Sequence, residues 1–386
     1  MKKHVHSLIA TGISLSFAPL VFAETPVTMY DYDEATSAYE DAYLDMQFNL
    51  NDGNQDQSSY NGYINLDYEQ VFDSADRNTK IDFTGTGSRS RGPNATDKSV
   101  SNYQAVGALT NDMYFQPNSN GLFWYGKGEV GVQKGMKDPF TKLTVGFGYG
   151  RVVNATPMAK SIRLIEALQE RAILSGMDRQ TYIAVADVIS REEEYISRYG
   201  SDEYLEYWIE DIDALLGDVG ARGAIRSYDV LENERISTRK YGWLVRGGVG
   251  SVISNYDGSN SKPVLELGAE YHLPINNLTQ FSEEAIMTAI LDDGENGYVL
   301  SNDLSLTYEL SDNIDWENGW LLTHSEYEKS NDITTNSVAS TFRYYISNSL
   351  SLSLTGLLED TEDNIDGNGN DEIDRSLLFG MTYRLK

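Results

Sequence analysis

Apolar and polar residues alternate with a period of two along most of this 386-residue chain, and this alternation limits the folds it can adopt. Residues 350–355 read Leu-Ser-Leu-Ser-Leu-Thr, and residues 304–310 read Leu-Ser-Leu-Thr-Tyr-Glu-Leu. Successive side chains of a strand point to opposite faces, so each stretch has one apolar and one polar face. About fourteen such stretches can be counted between residues 44 and 385. The chain is therefore predicted to be β structure almost throughout.

One block interrupts the alternation between the sixth and seventh stretches. From residue 156 to about residue 216 the apolar residues recur at helical spacing, which predicts three short amphipathic helices. The apolar face of these helices consists of Ile162, Ile165, Leu205, Trp208 and Ile212. This face could form the core of a small helical bundle, or it could be a groove for a partner.

The N-terminus predicts export from the cytoplasm. Residues 1–23 combine Met-Lys-Lys, an apolar run and a final Val-Phe-Ala, as in a cleavable signal peptide. The chain has no Cys, so disulfides and thiolate metal sites are excluded. No later apolar run is long enough for a transmembrane helix, so a membrane location would require a closed β-barrel.

The lengths of the connections predict the orientation of such a barrel. Connections after even-numbered strands are short and those after odd-numbered strands are longer, as for periplasmic turns and outer loops. The predicted organisation is a lead (24–40), strands 1–6 (41–151), a helical insert (152–238) and strands 7–14 (239–386). The insert follows an even-numbered strand, so we expect it on the periplasmic side.

The last residues carry a pattern typical of one class of membrane protein. Gly380, Tyr383 and Leu385 match the spacing of the closing-strand signal by which outer-membrane barrels are recognised, although Leu378 and the trailing Lys386 depart from it. With the signal peptide and the alternation, the chain resembles a Gram-negative, porin-like outer-membrane β-barrel. The resemblance implies contact with outer-membrane lipid and recognition by the barrel-assembly machinery. A soluble β-sandwich, which also alternates, is the other architecture considered.

Glycines occupy alternate positions on the two strands that flank the insert. They are Gly146, Gly148 and Gly150 before it, and Gly248 and Gly250 after it. A strip of inner wall without side chains would let part of the insert pack closely against it. Alternatively, these glycines would only relieve the curvature of the barrel.

Charged residues on the polar faces are the candidates for lining the lumen. They are Asp45, Asp67, Asp82, Arg246, Glu266, Glu270, Asp303, Glu309, Arg343 and Arg384. Seven acids against three bases predict a lumen that favours cations. The formal net charge of −29 argues against nucleic acid as a partner.

No catalytic residues, cofactor or metal site can be predicted. After the signal region the only histidines are His272 and His324. Ser325 follows His324, but neighbours on a strand point to opposite faces and cannot form a dyad. The sequence therefore predicts a non-enzymatic channel or transport pore that the insert could plug or gate. The alternative is a membrane anchor whose insert binds a periplasmic protein in envelope assembly or surface-polysaccharide export.

Overall fold

The computed structural model describes residues 26–33, 36–259, 261–291, 296–328, 331–363, 365 and 372–385, without the side chains of residues 36 and 37. Its strands form one closed antiparallel barrel in which each strand pairs with its neighbours in sequence and β1 pairs with β14. This confirms the predicted barrel of about fourteen strands. The strands are β1 (Thr36–Asn51), β2 (Ser59–Ser74), β3 (Arg77–Arg91), β4 (Val100–Tyr114), β5 (Leu122–Gln133), β6 (Phe140–Asn154), β7 (Lys240–Ser254), β8 (Lys262–Asn276), β9 (Thr279–Ile290), β10 (Gly297–Ser311), β11 (Ile314–Tyr327), β12 (Ile333–Tyr345), β13 (Leu350–Glu362) and β14 (Asp374–Arg384).

The two faces of the wall differ as the alternation requires. On β6, Leu143, Val145, Phe147 and Tyr149 are exposed on the outer face. Ion pairs between nearby strands occupy the inner face. An apolar exterior around a charged interior is the arrangement of a barrel that crosses a membrane.

The two ends of the barrel differ in their connections. The links after β2, β8 and β10 are two residues long in each case, whereas residues 363–373 link β13 to β14. We call these ends the short-turn end and the long-loop end. The insert leaves β6 and rejoins β7 at the short-turn end.

The insert contains five α-helices rather than the predicted three. They are α1 (Thr156–Glu170), α2 (Arg179–Ile189), α3 (Glu192–Tyr199), α4 (Tyr204–Leu216) and α5 (Gly220–Tyr228). A π-helical turn, Asp229–Asn233, follows α5. Gly200 and Gly217 end α3 and α4 with positive φ, which a residue with a Cβ adopts only at a cost. In the described part of the chain, no helix is both long and apolar enough to cross a membrane.

The insert has its own hydrophobic core. Trp208 is fully buried there, and its Nε1 donates to the carbonyl of Val188 at 2.9 Å. The segment before the barrel joins this core through Val27, Met29 and Tyr32. The predicted signal peptide, residues 1–23, lies outside the described residues. The N-terminal lead and the insert therefore form one packed unit at the short-turn end.

The ordered barrel extends beyond the predicted borders. β1 begins at Thr36 rather than residue 41, and β6 ends at Asn154 rather than residue 151. Asn154 pairs with Lys240, so backbone pairing continues past the end of the apolar alternation. The insert consequently occupies residues 155–239.

Candidate functional site: the lumen and its covered mouth

The strand register places all ten candidate lumen residues on the inner face of the wall. Glu270 pairs with Glu284, which pairs with Asp303, and directly paired residues share a face. The same rule connects the remaining members around the closed barrel. The members are Asp45, Asp67, Asp82, Arg246, Glu266, Glu270, Asp303, Glu309, Arg343 and Arg384.

Near the long-loop end, two lysines neutralise two glutamates. Lys142 contacts Glu266 at 2.7 Å and also forms an ion pair with Glu129. Lys127 lies 3.5 Å from Glu129 and 3.6 Å from Glu266. The predicted negative charge of Glu266 is therefore compensated within the wall.

Further along the barrel, Arg246 lies between two carboxylates. Its guanidinium is 3.2 Å from both Asp112 and Glu270 and lies 5.8 Å from the ring centroid of Tyr125. This side chain crosses part of the interior, so it narrows the lumen as well as neutralising it.

Two further lysines neutralise the wall formed by β2 and β3. Lys80 contacts Glu69 at 2.9 Å and Asp82 at 3.2 Å, and Lys240 contacts Glu69 at 3.3 Å. Tyr39 donates a hydrogen bond to the same glutamate. Asp82 is thus paired rather than free to attract cations.

On the opposite wall, Arg343 and Arg384 are also engaged. Arg343 forms a bidentate pair with Glu317 at 2.8 and 3.0 Å, which is a strong geometry for a guanidinium and a carboxylate. Arg384 contacts Asp41 at 2.8 Å. Both arginines line a cavity of about 280 Å³ that opens beside Asp45.

The lining therefore has more paired charges than the sequence predicted, because several inward acids and bases were missed. The missed acidic residues are Asp41, Glu69, Asp73, Asp112, Glu129, Glu284, Asp315 and Glu317. The basic residues missed by sequence analysis are Lys80, Lys127, Lys142, Arg151 and Lys240. Several could have been found by applying the alternation to bases as well as acids, because Lys80 shares a face with Asp82, and Lys127 with Glu129. Among the described residues, Asp45, Asp67 and Asp303 have no Lys or Arg nitrogen within 4 Å.

Aromatic side chains cover the glycine strip, and the insert does not. A Cβ placed on Gly148 would clash with the ring of Phe123, and one on Gly146 would lie 2.8 Å from Tyr125. For Gly248 and Gly250 the nearest atoms likewise belong to β5 or β6. Of the two alternatives for this strip, close packing of the insert is therefore not what the structure shows. Rings from β5 lie against Gly146, Gly148 and Gly248, and backbone of the paired strand is nearest to Gly150 and Gly250.

Gly150 has a separate role, because it redirects the residue that follows it. Tyr149 points outward, so strict alternation would also point Arg151 outward into lipid. Gly150 has φ of +108°, and Arg151 is instead buried, 2.7 Å from Asp73 and stacked over Tyr114. A backbone conformation that favours glycine therefore brings a charge inside the barrel.

The insert is attached across the short-turn mouth by a buried charge cluster. Glu309, which is 3% exposed, accepts hydrogen bonds from Arg239 at 2.6 Å, Arg163 at 2.6 Å and the backbone N–H of Ser237 at 3.0 Å. The hydroxyl of Ser237 also donates to Asp315 at 2.8 Å. Glu309 is therefore an anchor for the insert rather than an open part of the lining.

The same segment contacts the opposite side of the mouth. Arg235 donates to the hydroxyl of Tyr43 on β1 at 2.6 Å. Asn348, in the turn between β12 and β13, donates to the carbonyl of Glu232 at 2.9 Å. Residues 232–239, which we call the mouth segment, thus reach from β10 and β11 to β1 and the β12–β13 turn.

The predicted apolar face of the insert is used internally. Ile162, Ile165, Trp208 and Ile212 belong to the buried core, and Leu205 packs against it. Of the two readings left open by the sequence, this placement matches the bundle core.

Burial raises the pKa of five carboxyls within the insert, which are those of Glu166, Asp187, Asp213, Glu232 and Glu234. For Glu234 the nearby Arg226, at 2.6 Å, opposes this effect without cancelling it. These groups hold their protons more tightly in the folded insert than in the unfolded chain.

The fold and the site define a class. A closed fourteen-stranded antiparallel barrel with an apolar exterior, a charged interior and unequal ends is a β-barrel of the outer-membrane type. The model of a protein family of unknown function, DUF481, matches residues 232–342, from the mouth segment into β12. No curated protein matches the chain significantly.

Several solved outer-membrane proteins are similar to this chain at low identity. OmpF of Salmonella typhi has 7% identity and a TM-score of 0.34, covering 92% of this chain and 99% of its own. A loop-deletion mutant of OmpT of Vibrio cholerae has 8% identity and a TM-score of 0.32, covering 91% of this chain and 100% of its own. OpdL of Pseudomonas aeruginosa has 6% identity and a TM-score of 0.31, covering 91% of this chain and 98% of its own.

Proposed function

We propose that this protein is an outer-membrane channel for small hydrophilic solutes whose periplasmic mouth is closed by the helical insert. The observation that carries the proposal is the attachment of the mouth segment to Glu309 on β10. An arginine that is fully buried, Arg239, holds that segment against the wall. Removing one partner of a buried ion pair is strongly destabilising, so we expect this contact to hold the mouth segment closed.

The charged residues of the inner wall support small polar or cationic molecules as the transported solutes. Most of the wall's basic residues are paired with carboxylates, and the carboxylates outnumber them. The unpaired carboxylates Asp45, Asp67 and Asp303 give a modest preference for cations. We therefore expect small polar or cationic solutes rather than anions.

Single-channel conductance in planar bilayers tests the proposal. The full chain is compared with a variant in which residues 155–239 are replaced by a two-residue Asn-Gly turn. Asn154 and Lys240 are register partners, so a hairpin turn can join β6 to β7 without altering the barrel. We expect frequent closures in the full chain and steady conductance in the variant.

Glu309→Gln is the companion variant, since it weakens the closure without deleting the insert. It should raise the open probability at unchanged unit conductance. Equal open probability in all three proteins would contradict the gating role, and the absence of conductance from the variant with the short turn would contradict the channel itself.

A second candidate function is supported by the outer surface of the insert. Tyr207, Leu215, Ile225 and Tyr228 on α4 and α5 are large, apolar and exposed. Under this alternative the barrel anchors the insert to a periplasmic protein of an envelope-assembly or polysaccharide-export system. Crosslinking at position 225 in cells should then trap one defined partner, whereas a channel alone should yield none.

The proposed route to the membrane uses both termini. Residues 1–23 would direct export, and Gly380, Tyr383 and Leu385 would be read by the barrel-assembly machinery. Tyr383 and Leu385 are exposed on the outer face of the barrel end, which supports access to them. Tyr383→Ala should slow assembly of the barrel in cells. The folded fraction is measured on gels as the band whose migration changes when the sample is heated.

A further inference from the structure

Three potential metal ligands come together inside the barrel on β8 and β9. Ligand atoms of Glu270, His272 and Glu284 all lie within 4.8 Å of one another. Glu270 is paired with Glu284 across the two strands, and His272 follows on the same face of β8. The antiparallel register therefore fixes this cluster.

The imidazole of His272 is oriented but incompletely bonded. Its Nδ1 is 2.9 Å from the hydroxyl of Ser282. Its Nε2 has no hydrogen-bond partner, although the side chain is only 2% exposed. This unpartnered nitrogen faces Glu270 at 3.8 Å and Glu284 at 3.9 Å.

These separations are too long for hydrogen bonds but fit ligands around a shared cation. Hydrogen bonds to nitrogen extend to about 3.2 Å. Two ligand atoms each about 2.0–2.2 Å from one ion lie roughly 3–4 Å apart. A small adjustment of the exposed Glu284 side chain would complete such a geometry.

Neighbouring basic residues leave the required oxygens available. Arg246 contacts Oε1 of Glu270, whereas Oε2 is the atom that faces His272. In the part of the chain that the structure describes, no Lys or Arg nitrogen lies within 4 Å of the Glu284 carboxylate. Two carboxylate oxygens and one imidazole nitrogen are therefore directed at the same space.

We propose that Glu270, His272 and Glu284 bind a divalent first-row transition ion such as Zn²⁺ or Mn²⁺ inside the lumen. An imidazole nitrogen with two carboxylates suits these ions, whereas Mg²⁺ and Ca²⁺ prefer ligands that are all oxygen. Ser282 acts as the positioning residue that orients the ring, as hydrogen-bonded partners of histidine ligands commonly do. The site does not depend on whether the barrel conducts.

Titration of the full chain with Co²⁺ tests this site. The protein is purified in detergent without a polyhistidine tag, and visible absorption reports the coordination of the ion. We expect one equivalent to bind saturably, to be displaced by Zn²⁺ and to resist excess Mg²⁺ or Ca²⁺. His272→Asn and Glu284→Gln should each weaken binding at least about tenfold, and Ser282→Ala should weaken it at unchanged stoichiometry.

Two matched variants separate ligation from general charge. Asp303→Asn removes an inner-face carboxylate that is the register partner of Glu284, and His324→Asn removes the other strand histidine. Both should bind Co²⁺ like the parent protein. Heat-modifiable migration on gels establishes that each variant forms a barrel. Absence of saturable binding, or equal weakening by Asp303→Asn, would overturn the proposal and leave His272 as a structural side chain beside two carboxylates.

Discussion

Replacing Glu309 with glutamine should detach the mouth segment from the barrel. The carboxylate of Glu309 is buried and is shared by Arg239, Arg163 and the backbone N–H of Ser237. In Glu309→Gln the amide has one acceptor oxygen and no charge. Arg239, which is fully buried, then loses the carboxylate that balances it.

The size of the effect follows from the surroundings of the two arginines. Removing one partner of a buried ion pair costs about 3–5 kcal/mol. Arg163 keeps a contact with Asp312 at 2.8 Å, and that aspartate is exposed, so the lower end of the range applies. A cost of about 3 kcal/mol corresponds to an increase of about a hundredfold in the detached population.

Hydrogen exchange measured by mass spectrometry reads out this population. Amides of residues 232–239 should exchange about a hundredfold faster in Glu309→Gln, while amides of β3 keep their protection. Glu317→Gln is the matched control, because it breaks the bidentate pair with Arg343 inside the wall without contacting the insert.

A double variant distinguishes loss of charge balance from loss of packing. Replacing both Glu309 and Arg239 with methionine removes the pair together, which is often neutral for buried ions. Exchange in the double variant should therefore be slower than in Glu309→Gln. The role of charge balance is refuted if the amides of residues 232–239 exchange as fast in the double variant as in Glu309→Gln. It is also refuted if these amides exchange no faster in Glu309→Gln than in Glu317→Gln.

Gly150→Ala should destabilise the barrel by about 1–3 kcal/mol in urea unfolding, because it strains a left-handed backbone position, whereas Gly126→Ala, with open space around it, should cost less. The insert, followed by Trp208 fluorescence, should melt at a higher temperature near pH 5 than near pH 8. Its buried carboxyls with raised pKa favour folding at low pH, and that contribution is lost as pH rises through their folded pKa values. Asp45→Asn with Asp67→Asn should lower the ratio of K⁺ to Cl⁻ permeability in bilayers, and an unchanged ratio would contradict their role as free charges.

The barrel could be predicted because its determinants are local and repeated. A period of two assigns a face to every residue of a strand, and the lengths of the connections assign the two ends. The inward placement of Asp303 and Arg343 follows from this rule alone. The helical character of the insert could also be predicted locally, from the spacing of its apolar residues.

The chemistry of the lumen could not be predicted in the same way, because it depends on contacts between strands. Alternation shows that Glu266 points inward, but only the register shows that Lys127 and Lys142 neutralise it. The roles of His272 and Glu284 depend on the pairing of β8 with β9. Arg151 was missed because the left-handed backbone of Gly150 breaks the alternation at that residue.

The insert is attached to the barrel where β6 pairs with β7, and the surroundings of this strand pair support the attachment. Both strands present bare backbone inward, so Phe123 and Tyr125 from β5 fill the interior beside them. Gly150 then turns Arg151 toward Asp73 on β2, which connects this end of β6 to another part of the wall. The chain enters α1 directly after this end of β6 and returns through the mouth segment to Lys240. Lys240 forms an ion pair with Glu69, which is also on β2. Both junctions of the insert with the barrel are therefore tied to β2 through ion pairs.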